Sequence, residues 1–267
     1  MLYFVATPIG NLKDFSYRAV EVLNSVDIIA CEDTRNSLKL LSHYDIHKKL
    51  IAYHKFNERN SADGIVELLK SGKNVAVISD SGMPVISDPG NILIQKLKQN
   101  NLDYTVVPGA NAGLCALILS GFDASKFTFV GFLPEQNKDR KKLLEDIKTY
   151  KTTLVFYISP HSLKKDTDFL AQHLGNRNAC LVNEITKLHE KTYNFVLGDN
   201  IDFEPRGEYV LVLEANTEEK KQEFDLSIEE ELAYLIQNGT RKNDAVKMVA
   251  NKRNLPRNEV YKIAIDL

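Results

Sequence analysis

The sequence contains no tryptophan, only three cysteines and no continuous apolar run long enough for a membrane span. A transmembrane helix needs about 20 consecutive apolar residues, so no membrane-spanning helix is expected. Cys31, Cys115 and Cys180 are odd in number and far apart, which argues against a disulfide framework or a cysteine-based metal site and indicates a reducing, cytoplasmic environment. The N-terminal residues lack the basic segment of a signal peptide and are expected to form a first strand.

Motifs for phosphate-bearing cofactors and for metal ions are also missing. Neither a Walker A motif nor Gly-x-Gly-x-x-Gly occurs, so no phosphate-cradling loop for ATP or NAD is expected. His43 and His47 have helical spacing, but no third ligand accompanies them, so no metal site is expected. The net charge of -2 at pH 7 neither supports nor excludes a nucleic-acid partner.

The first 110 or so residues alternate between short apolar runs and amphipathic helical patterns. Such alternation predicts a parallel sheet with helices on both faces. The predicted strands are Leu2–Ala6, Asp27–Cys31, Leu50–Tyr53, Val75–Ile78 and Tyr104–Val107. Helices are predicted after the capping residues Ser16 and Ser61 and over Asn91–Asn100.

The second half predicts a mixed sheet, because several of its strands follow one another without a helical crossover. Strands are expected at Phe127–Phe132, Thr153–Ile158, Ala179–Asn183, Tyr193–Leu197 and Tyr209–Leu213, and helices at Ala112–Leu119, Asp139–Tyr150 and Ser162–Leu174. We therefore predict two α/β domains, residues 1–111 and 112–217. The charged linker Glu218–Phe224 leads to a helical appendage, residues 225–267, with helices at Ser227–Gln237, Arg241–Lys252 and Pro256–Ile265.

Three predicted strands of the first half end in loops rich in glycine and proline. These loops are Thr7–Leu12, Ser79–Gly90 and Pro108–Gly113. Glycine and proline stop both strands and helices, so each loop is expected to be tightly turned. Because ligands bind at the carboxyl ends of strands in open α/β sheets, the three loops predict one shared ligand cleft.

Two further polar segments follow predicted strands. Glu32–Arg35 combines two acids, a hydroxyl and an arginine that suit a polar substrate, although a helix start capped by Asp33 or Thr34 explains it equally well. Glu184–Lys187 is open to a similar second interpretation, a turn with a surface ion pair. His161, in Ser159–His161, is either a positioned hydrogen-bonding group or a simple loop residue.

Taken together in their order and spacing, six motifs resemble those of a known family. They are Thr7–Leu12, Glu32–Arg35, Ser79–Gly90, Gly131–Pro134, Ser159–His161 and Glu184–Lys187. The chain resembles, over its whole length, the bacterial 16S ribosomal RNA (cytidine-2′-O)-methyltransferases, which belong to the tetrapyrrole-methylase-like class of S-adenosylmethionine enzymes. The resemblance implies methylation of a cytidine ribose 2′-hydroxyl in 16S rRNA of the small ribosomal subunit. It also implies S-adenosylmethionine in the cleft between two α/β domains, and a cytoplasmic homodimer.

The resemblance also implies roles for individual residues. Cofactor contacts fall on Pro8, Ser79, Asp80, Met83, Asn111 and Ala112, with Phe156 and Glu184 expected from the second domain. Asp33, Glu184 and Lys187 are candidates for the catalytic proton acceptor or a nearby cation, and Arg35 for holding phosphate or ribose. Lys187 would accept a proton only with a lowered pKa. The chain departs from the family pattern at Ile158, Ser162 and Asn183, where glutamate, arginine and arginine are common.

The last helices carry a basic excess that suits an RNA backbone. Between positions 241 and 262 there are two acidic residues, Asp244 and Glu259, and seven basic ones: Arg241, Lys242, Lys247, Lys252, Arg253, Arg257 and Lys262. The alternative interpretation is a solvated bundle that caps the fold. Glu229–Glu231 are expected to face away from the basic side. Lys138 and Arg140–Lys142 are interpreted as a solvated helix start.

Two other functions remain open at this point. One is methylation of a small tetrapyrrole-like molecule, which the same fold supports. The other is a non-catalytic RNA-binding protein that has lost its activity, which would bind S-adenosylmethionine poorly. A measurement of S-adenosylmethionine affinity therefore distinguishes a non-catalytic RNA-binding protein from an enzyme.

Overall fold

The computed structural model describes residues 1–55, 57–200, 203, 206–216, 226–253 and 255–265. The chain separates into two compact units, Met1–Asn216 and Thr217–Leu267. The predicted linker Glu218–Phe224 lies outside the described residues, and the division of the first unit into two domains at residue 111 stays a prediction. None of the described helices is long and apolar enough to cross a membrane.

The first half of the first unit contains the predicted parallel sheet. Its strands are β1 (Leu2–Val5), β2 (Ile28–Cys31), β3 (Lys49–Ala52), β4 (Val75–Ile78) and β5 (Tyr104–Val107), in the spatial order β3-β2-β4-β1-β5. All four strand pairs are parallel. The helices are α1 (Tyr17–Ser25), α2 (Thr34–His43), α3 (Glu58–Lys70) and α4 (Asn91–Gln99). Apolar clusters on both faces bury the central strands, as helices on both sides require.

Helix α3 begins earlier than the sequence predicts, with Asn57 rather than Ser61 preceding it. The reason is a contact that is distant in sequence. Glu58 Oε1 accepts hydrogen bonds from Gly90 N at 2.8 Å and Ile92 N at 3.2 Å. Glu58 therefore caps the start of α4 and fixes the first turn of α3 against it.

The second half contains the predicted mixed sheet. Its strands are β6 (Phe127–Phe132), β7 (Thr153–Ile158), β8 (Asn178–Asn183), β9 (Lys191–Val196) and β10 (Tyr209–Leu213), in the order β6-β7-β10-β8-β9. Only β6 and β7 pair in parallel among these strands. Helix α5 (Ala112–Ser120) packs on one face, and α6 (Asn137–Ile147) and α7 (Leu163–Leu174) pack on the other. The two-sheet α/β architecture predicted from the sequence is confirmed.

A buried ion pair joins α6 to α7. Arg140 Nη1 lies 2.8 Å from Asp166 Oδ1, and the two side chains are only 8% and 7% exposed. The interpretation of Arg140 as part of a solvated helix start is therefore wrong. Its positive charge is balanced inside the fold, whereas Lys138, Lys141 and Lys142 are exposed.

The described residues of the second unit form three helices, α8 (Ile228–Gln237), α9 (Lys242–Arg253) and α10 (Arg257–Ala264), around a small apolar core. Ser227 and Glu230 form a capping box at the start of α8. Glu231 does not face away from the basic side as predicted. It is buried and binds Arg253 Nη2 at 2.7 Å, and it also pairs with Lys252. Two of the seven basic residues between Arg241 and Lys262 therefore stabilise the fold of this unit.

Candidate functional site

A cavity of about 390 Å³ lies within the first unit, where loops after strands of both sheets meet. It is lined by Ile9, Glu32, Asp80–Met83, Ile86–Asp88, Asn111, Ala112, Phe132, Tyr157–Pro160, Ile185 and Glu208–Val210. The carboxyl ends of β1, β2, β4 and β5 all contribute. The shared cleft predicted from three strand ends therefore exists, and its volume is in the range of small-molecule sites.

The loop Ser79–Gly90 is held tightly in place. Thr7 N donates to Gly82 O at 2.9 Å and Gly82 N to Thr7 O at 3.2 Å, so the loops after β1 and β4 are bonded to each other. Ser79 Oγ donates to Gly82 O at 3.0 Å. Val85 and Ser87 have φ of 76° and 70°, a left-handed conformation that costs energy for residues other than glycine. This loop is rigid and strained, as loops that position functional groups often are.

Four of the eight residues predicted to contact a cofactor line this cavity. They are Asp80, Met83, Asn111 and Ala112, whereas Pro8 and Ser79 are buried within their own loops and do not line it. Asn111 Oδ1 caps α5 by accepting a hydrogen bond from Leu114 N at 2.9 Å. The NH2 group of the Asn111 side chain is left available to a ligand.

Phe156 does not lie at the cavity. It is fully buried among the residues that α6 and α7 cover, and its neighbour Tyr157 lines the cavity instead. Successive side chains of a strand point to opposite faces, so only one of the two can reach the site.

Asp33 and Arg35 lie beside the cavity but do not line it. The Asp33 side chain caps α2 by accepting from Arg35 N at 2.8 Å, and it forms an ion pair with the exposed Arg35 guanidinium. Hydrogen bonds from Arg35 lower the pKa of the Asp33 carboxyl. For Asp33, the structure therefore supports the interpretation as a helix cap.

Asp80 is fixed by the same helix start. Its Oδ1 accepts from Asp33 N at 3.3 Å and its Oδ2 from Asn36 Nδ2 at 3.1 Å. Asp80 thus presents an oriented carboxylate to the cavity.

Two cavity carboxyls, Glu32 and Asp88, were not singled out as site residues, although both lie in segments that the sequence marked as polar strand ends. Burial raises the pKa of Glu32, and the nearby charge of Asp80 adds to the effect. Burial, followed by the charges of Glu32 and Asp80, raises the pKa of Asp88 to about 7. Local sequence could not reveal this shift, because the three carboxyls come from two different loops.

Glu184 and Lys187 form a compact ion cluster with Glu208. Lys187 Nζ lies 2.9 Å from Glu184 Oε1 and 3.0 Å from Glu208 Oε2, and Glu208 N donates to Glu184 Oε1 at 3.1 Å. Burial works to lower the pKa of Lys187, but its hydrogen bonds to the two carboxylates prevail and raise it. The role of Lys187 as proton acceptor is therefore not supported, because its ammonium stays charged.

The same cluster keeps Glu184 ionised. Burial works to raise its pKa, but the hydrogen bonds from Lys187 and from Glu208 N prevail and lower it. Of the three residues, Glu208 is the one that lines the cavity.

The cavity is acidic and partly apolar. Four carboxyl groups line it, from Glu32, Asp80, Asp88 and Glu208, beside the apolar side chains of Ile9, Met83, Ile86, Phe132 and Tyr157. Among the residues that the structure describes, no lysine, arginine or histidine lines it. These surroundings favour a positively charged ligand with a flat apolar part and disfavour a phosphate. The described residues include no cluster suited to a metal ion.

Comparisons with known proteins agree with this geometry. Residues 1–200 match the family of tetrapyrrole (corrin/porphyrin) methylases. The chain is 40% identical over 270 residues to ribosomal RNA small subunit methyltransferase I of Halalkalibacterium halodurans, covering 98% of this chain and 93% of the relative. It is 41% identical over 270 residues to the Bacillus subtilis protein of the same name, covering 98% and 92%.

The fold resembles the crystal structure of diphthine synthase, with a TM-score of 0.64 over 80% of this chain and 89% of that one. The sequence identity to that structure is 14%, so this likeness supports the fold alone.

Proposed function

This chain belongs to the family of the tetrapyrrole (corrin/porphyrin) methylases, and from this premise we propose that it methylates a cytidine ribose 2′-hydroxyl in 16S ribosomal RNA, with S-adenosylmethionine as methyl donor. The observation that carries the proposal is the similarity to ribosomal RNA small subunit methyltransferases I over 98% of the chain. That similarity extends beyond residue 200, where the family match ends. A small-molecule substrate rests on the family match over residues 1–200 and on the shared fold, whereas the similarity to the ribosomal RNA methyltransferases covers 98% of the chain, so RNA is the better supported acceptor.

The cavity suits S-adenosylmethionine. This donor carries a sulfonium and an ammonium group, which the carboxyls of Glu32, Asp80 and Asp88 complement, and an adenine ring that suits the apolar wall. The sulfonium already activates the methyl group, so the protein mainly has to align donor and acceptor. Asp80, oriented by the start of α2, and the amide of Asn111 are placed to hold the donor's polar groups.

The second unit supports an RNA partner. Five of its basic side chains are exposed and available to phosphates: Arg241, Lys242, Lys247, Arg257 and Lys262. Lys252 and Arg253 pair with the buried Glu231 instead. Since ribosomal RNA is the proposed partner, the proposed location of the protein is the cytoplasm.

A homodimer is also part of the proposal, because a large apolar surface of the first unit is exposed. Helix α5 exposes Leu114 and Ile118, the latter to 76%, and the edge strand β6 exposes Phe127, Phe129 and Phe132. A Cβ at Gly113 would lie 3.4 Å from the Phe129 ring, so the start of α5 adjoins β6. A surface of this kind marks an interface, and a second copy of this chain is its proposed occupant.

Sedimentation of the purified chain tests the dimer. Ile118→Lys should shift the chain toward monomer, while Tyr17→Lys, at a lone exposed aromatic on α1, should not. A monomeric wild-type chain would contradict this part of the proposal.

Methyl transfer to ribosomal particles tests the activity. Tritiated S-adenosylmethionine is incubated with the chain and small subunits from a strain without this methylation, with large subunits as control. Label in a cytidine ribose after nuclease digestion is the expected result. Label on added tetrapyrroles only would favour the small-molecule alternative, and failure to bind S-adenosylmethionine would favour the non-catalytic one.

A further inference from the structure

We propose that the buried ion pair between Arg140 and Asp166 positions two loops of the cavity and thereby sets the affinity of the cavity for its ligand. One loop follows β6, whose last residue Phe132 lines the cavity, and the other follows β7 and contributes Ser159 and Pro160. Arg140 and Asp166 do not line the cavity themselves, so both act through the loops, as positioning residues. That the ligand is S-adenosylmethionine rests on the proposed function, whereas the positioning of the loops does not.

The Arg140 guanidinium reaches the loop after β6. Its Nε donates a hydrogen bond to the carbonyl oxygen of Pro134, two residues after Phe132, and its Nη1 lies 2.8 Å from Asp166 Oδ1. The Phe169 ring centroid lies 5.7 Å from the guanidinium carbon, within the range of a cation–π contact. The donors of a guanidinium form a rigid fork, so these bonds fix the position of Pro134 relative to Asp166.

The second oxygen of the Asp166 carboxylate continues the connection to the loop after β7. Ser162 Oγ lies 2.6 Å from Asp166 Oδ2 and 3.3 Å from Ser159 O. A hydroxyl has one proton and a carboxylate is the stronger acceptor, so Ser162 donates to Asp166. Ser162 N donates to Ser159 O at 3.0 Å, which links Asp166 to a residue of the cavity wall. Ser162 is also one of the three departures from the family pattern, and this contact gives it a role.

A buried ion pair is an inefficient way to hold two helices together. Removing two charges from water offsets most of their attraction, and apolar side chains of similar size often stabilise such a contact as well or better. What the pair adds is direction, because each hydrogen bond constrains a distance and an angle. Arg140 and Asp166 are only 8% and 7% exposed, so water does not compete for these bonds. The pair therefore suits the positioning of Pro134 and Ser162 better than the packing of α6 on α7.

The positioned residues form part of the apolar wall of the cavity. The Phe132 and Tyr157 rings, which both line it, have centroids 5.4 Å apart. The Phe132 side chain is 57% exposed, so packing holds it only in part. A bulge between Phe129 and Gly131 interrupts the strand pairing just before it, which loosens its hold from that side. The bond at Pro134 is the hold from the other side, so its loss should move the Phe132 ring and change the space open to a flat ligand.

The decisive variant is the double change Arg140→Met with Asp166→Leu, which replaces the pair by apolar side chains. Such replacements usually preserve stability, so we expect urea unfolding close to that of wild type. Hydrogen exchange followed by mass spectrometry then reports on the loops without any ligand. Exchange should be faster in residues 131–136 and 159–163 and unchanged in the loop Ser79–Gly90. Asp139→Asn, at an exposed carboxyl on α6, is the control and should exchange like wild type.

Calorimetry with S-adenosylmethionine measures the consequence for binding. We expect the Kd of the double variant to be about 10-fold higher, the equivalent of one lost charge-assisted hydrogen bond. In methyl transfer to small subunits the KM for the donor should rise by a similar factor, with a smaller change in kcat, because the lost interaction serves binding.

A pair of single changes on α7 tests the same connection without touching the ion pair. Ser162→Ala removes the hydroxyl that joins Asp166 to the loop after β7. Thr167→Val removes a hydroxyl that bonds to the backbone of its own helix, at Leu163 O and Lys164 O. We expect Ser162→Ala to raise the Kd for S-adenosylmethionine by about 3- to 10-fold and Thr167→Val to leave it unchanged. Ser162→Thr, which keeps the hydroxyl, should restore binding.

Several outcomes would overturn the inference. One is a folded double variant whose two loops exchange like wild type, and another is a double variant with wild-type affinity for S-adenosylmethionine. If the double variant does not fold, equal Kd values for Ser162→Ala and Thr167→Val overturn it. Failure of the proposed function gives a different result. A wild-type chain that binds the donor without methylating small subunits refutes only the RNA acceptor, and one that does not bind the donor refutes that ligand, with hydrogen exchange still deciding whether the pair positions the loops.

Discussion

Lys187 lies directly against Gly10, so the loop after β1 and the loop after β8 are in contact. A methyl group at position 10 would overlap the Lys187 side chain, and Gly10 has φ of 151°. Thr186, next to Lys187, donates a hydrogen bond to the Asp14 carboxylate. Glycine at position 10 therefore allows the Glu184–Lys187–Glu208 cluster to sit beside the cavity loops.

Gly10→Ala should destabilise the chain and disturb the cavity. The new methyl group needs an unfavourable backbone and displaces Lys187 from its two carboxylates, so we expect a loss of about 1–3 kcal/mol in the free energy of unfolding. The matched control is Gly64→Ala on α3, where a Cβ meets nothing within 4 Å. Because alanine is the better helix former, that control should gain roughly 0.5–1 kcal/mol. Urea unfolding measures both, and an unchanged Gly10→Ala variant would show that Lys187 moves aside freely.

Asp166→Ala should be among the most destabilising single changes in α6 and α7, the two helices that pack on one face of the second sheet. It leaves the Arg140 guanidinium buried without its carboxylate, which costs about 3–5 kcal/mol. Asp168→Ala, two residues further along α7, removes only an exposed pair with Lys164 and should cost about 0.3–0.5 kcal/mol. Thermal or urea unfolding of the two variants makes the comparison. Equal losses would mean that the burial of the Arg140–Asp166 pair is unimportant.

Much of the architecture could be predicted because it depends on local patterns. The short apolar runs placed every strand of both sheets, and glycine and proline placed the loops that form the cavity. Side-chain direction was harder to predict. The strand β7 reads Thr-Leu-Val-Phe-Tyr-Ile, and with apolar residues on both faces nothing local marks which of Phe156 and Tyr157 faces the cavity.

The chemistry of the site depended on contacts between distant residues. Lys187 remains charged because Glu208, 21 residues away, joins Glu184 in binding it. Burial, followed by the charges of Asp80 and of Glu32 from the loop after β2, raises the pKa of Asp88 to about 7. Arg140 is buried because Asp166 reaches it from another helix. Composition and spacing contain none of these pairings, so the roles of single residues were the least predictable part.

The stability of the chain should depend on pH through Asp88. Its pKa is 3.8 ordinarily and about 7 in the folded chain, so the folded state holds more protons in that interval. Stability therefore falls as pH rises from about 4 to about 7, and the cost remains above that range. Asp88→Asn removes the buried charge, and the variant should be the more stable chain at pH 8, by ~2 kcal/mol after allowance for solvent screening.

Urea unfolding at pH 4 and pH 8 measures this effect. The advantage of Asp88→Asn should nearly vanish at pH 4, where the carboxyl is protonated in the folded chain, while Asp139→Asn should behave like wild type at both values. An advantage that is the same at both pH values would mean that the charge of Asp88 is not its cause.

The basic side chains of the second unit should contribute to RNA affinity through salt-dependent phosphate contacts. We expect the triple change Lys247→Ala, Arg257→Ala and Lys262→Ala to weaken binding to 16S rRNA and to reduce the slope of log K against log salt by about 2–3, close to one per lost contact. The matched control changes Lys138, Lys141 and Lys142 to alanine on α6, which removes the same charge from exposed positions in the first unit. Filter binding at several salt concentrations measures the slopes. If the control lowers the slope and the second-unit variant does not, the RNA backbone contacts the α6 lysines instead, and the second unit is the solvated capping bundle that the sequence also allowed.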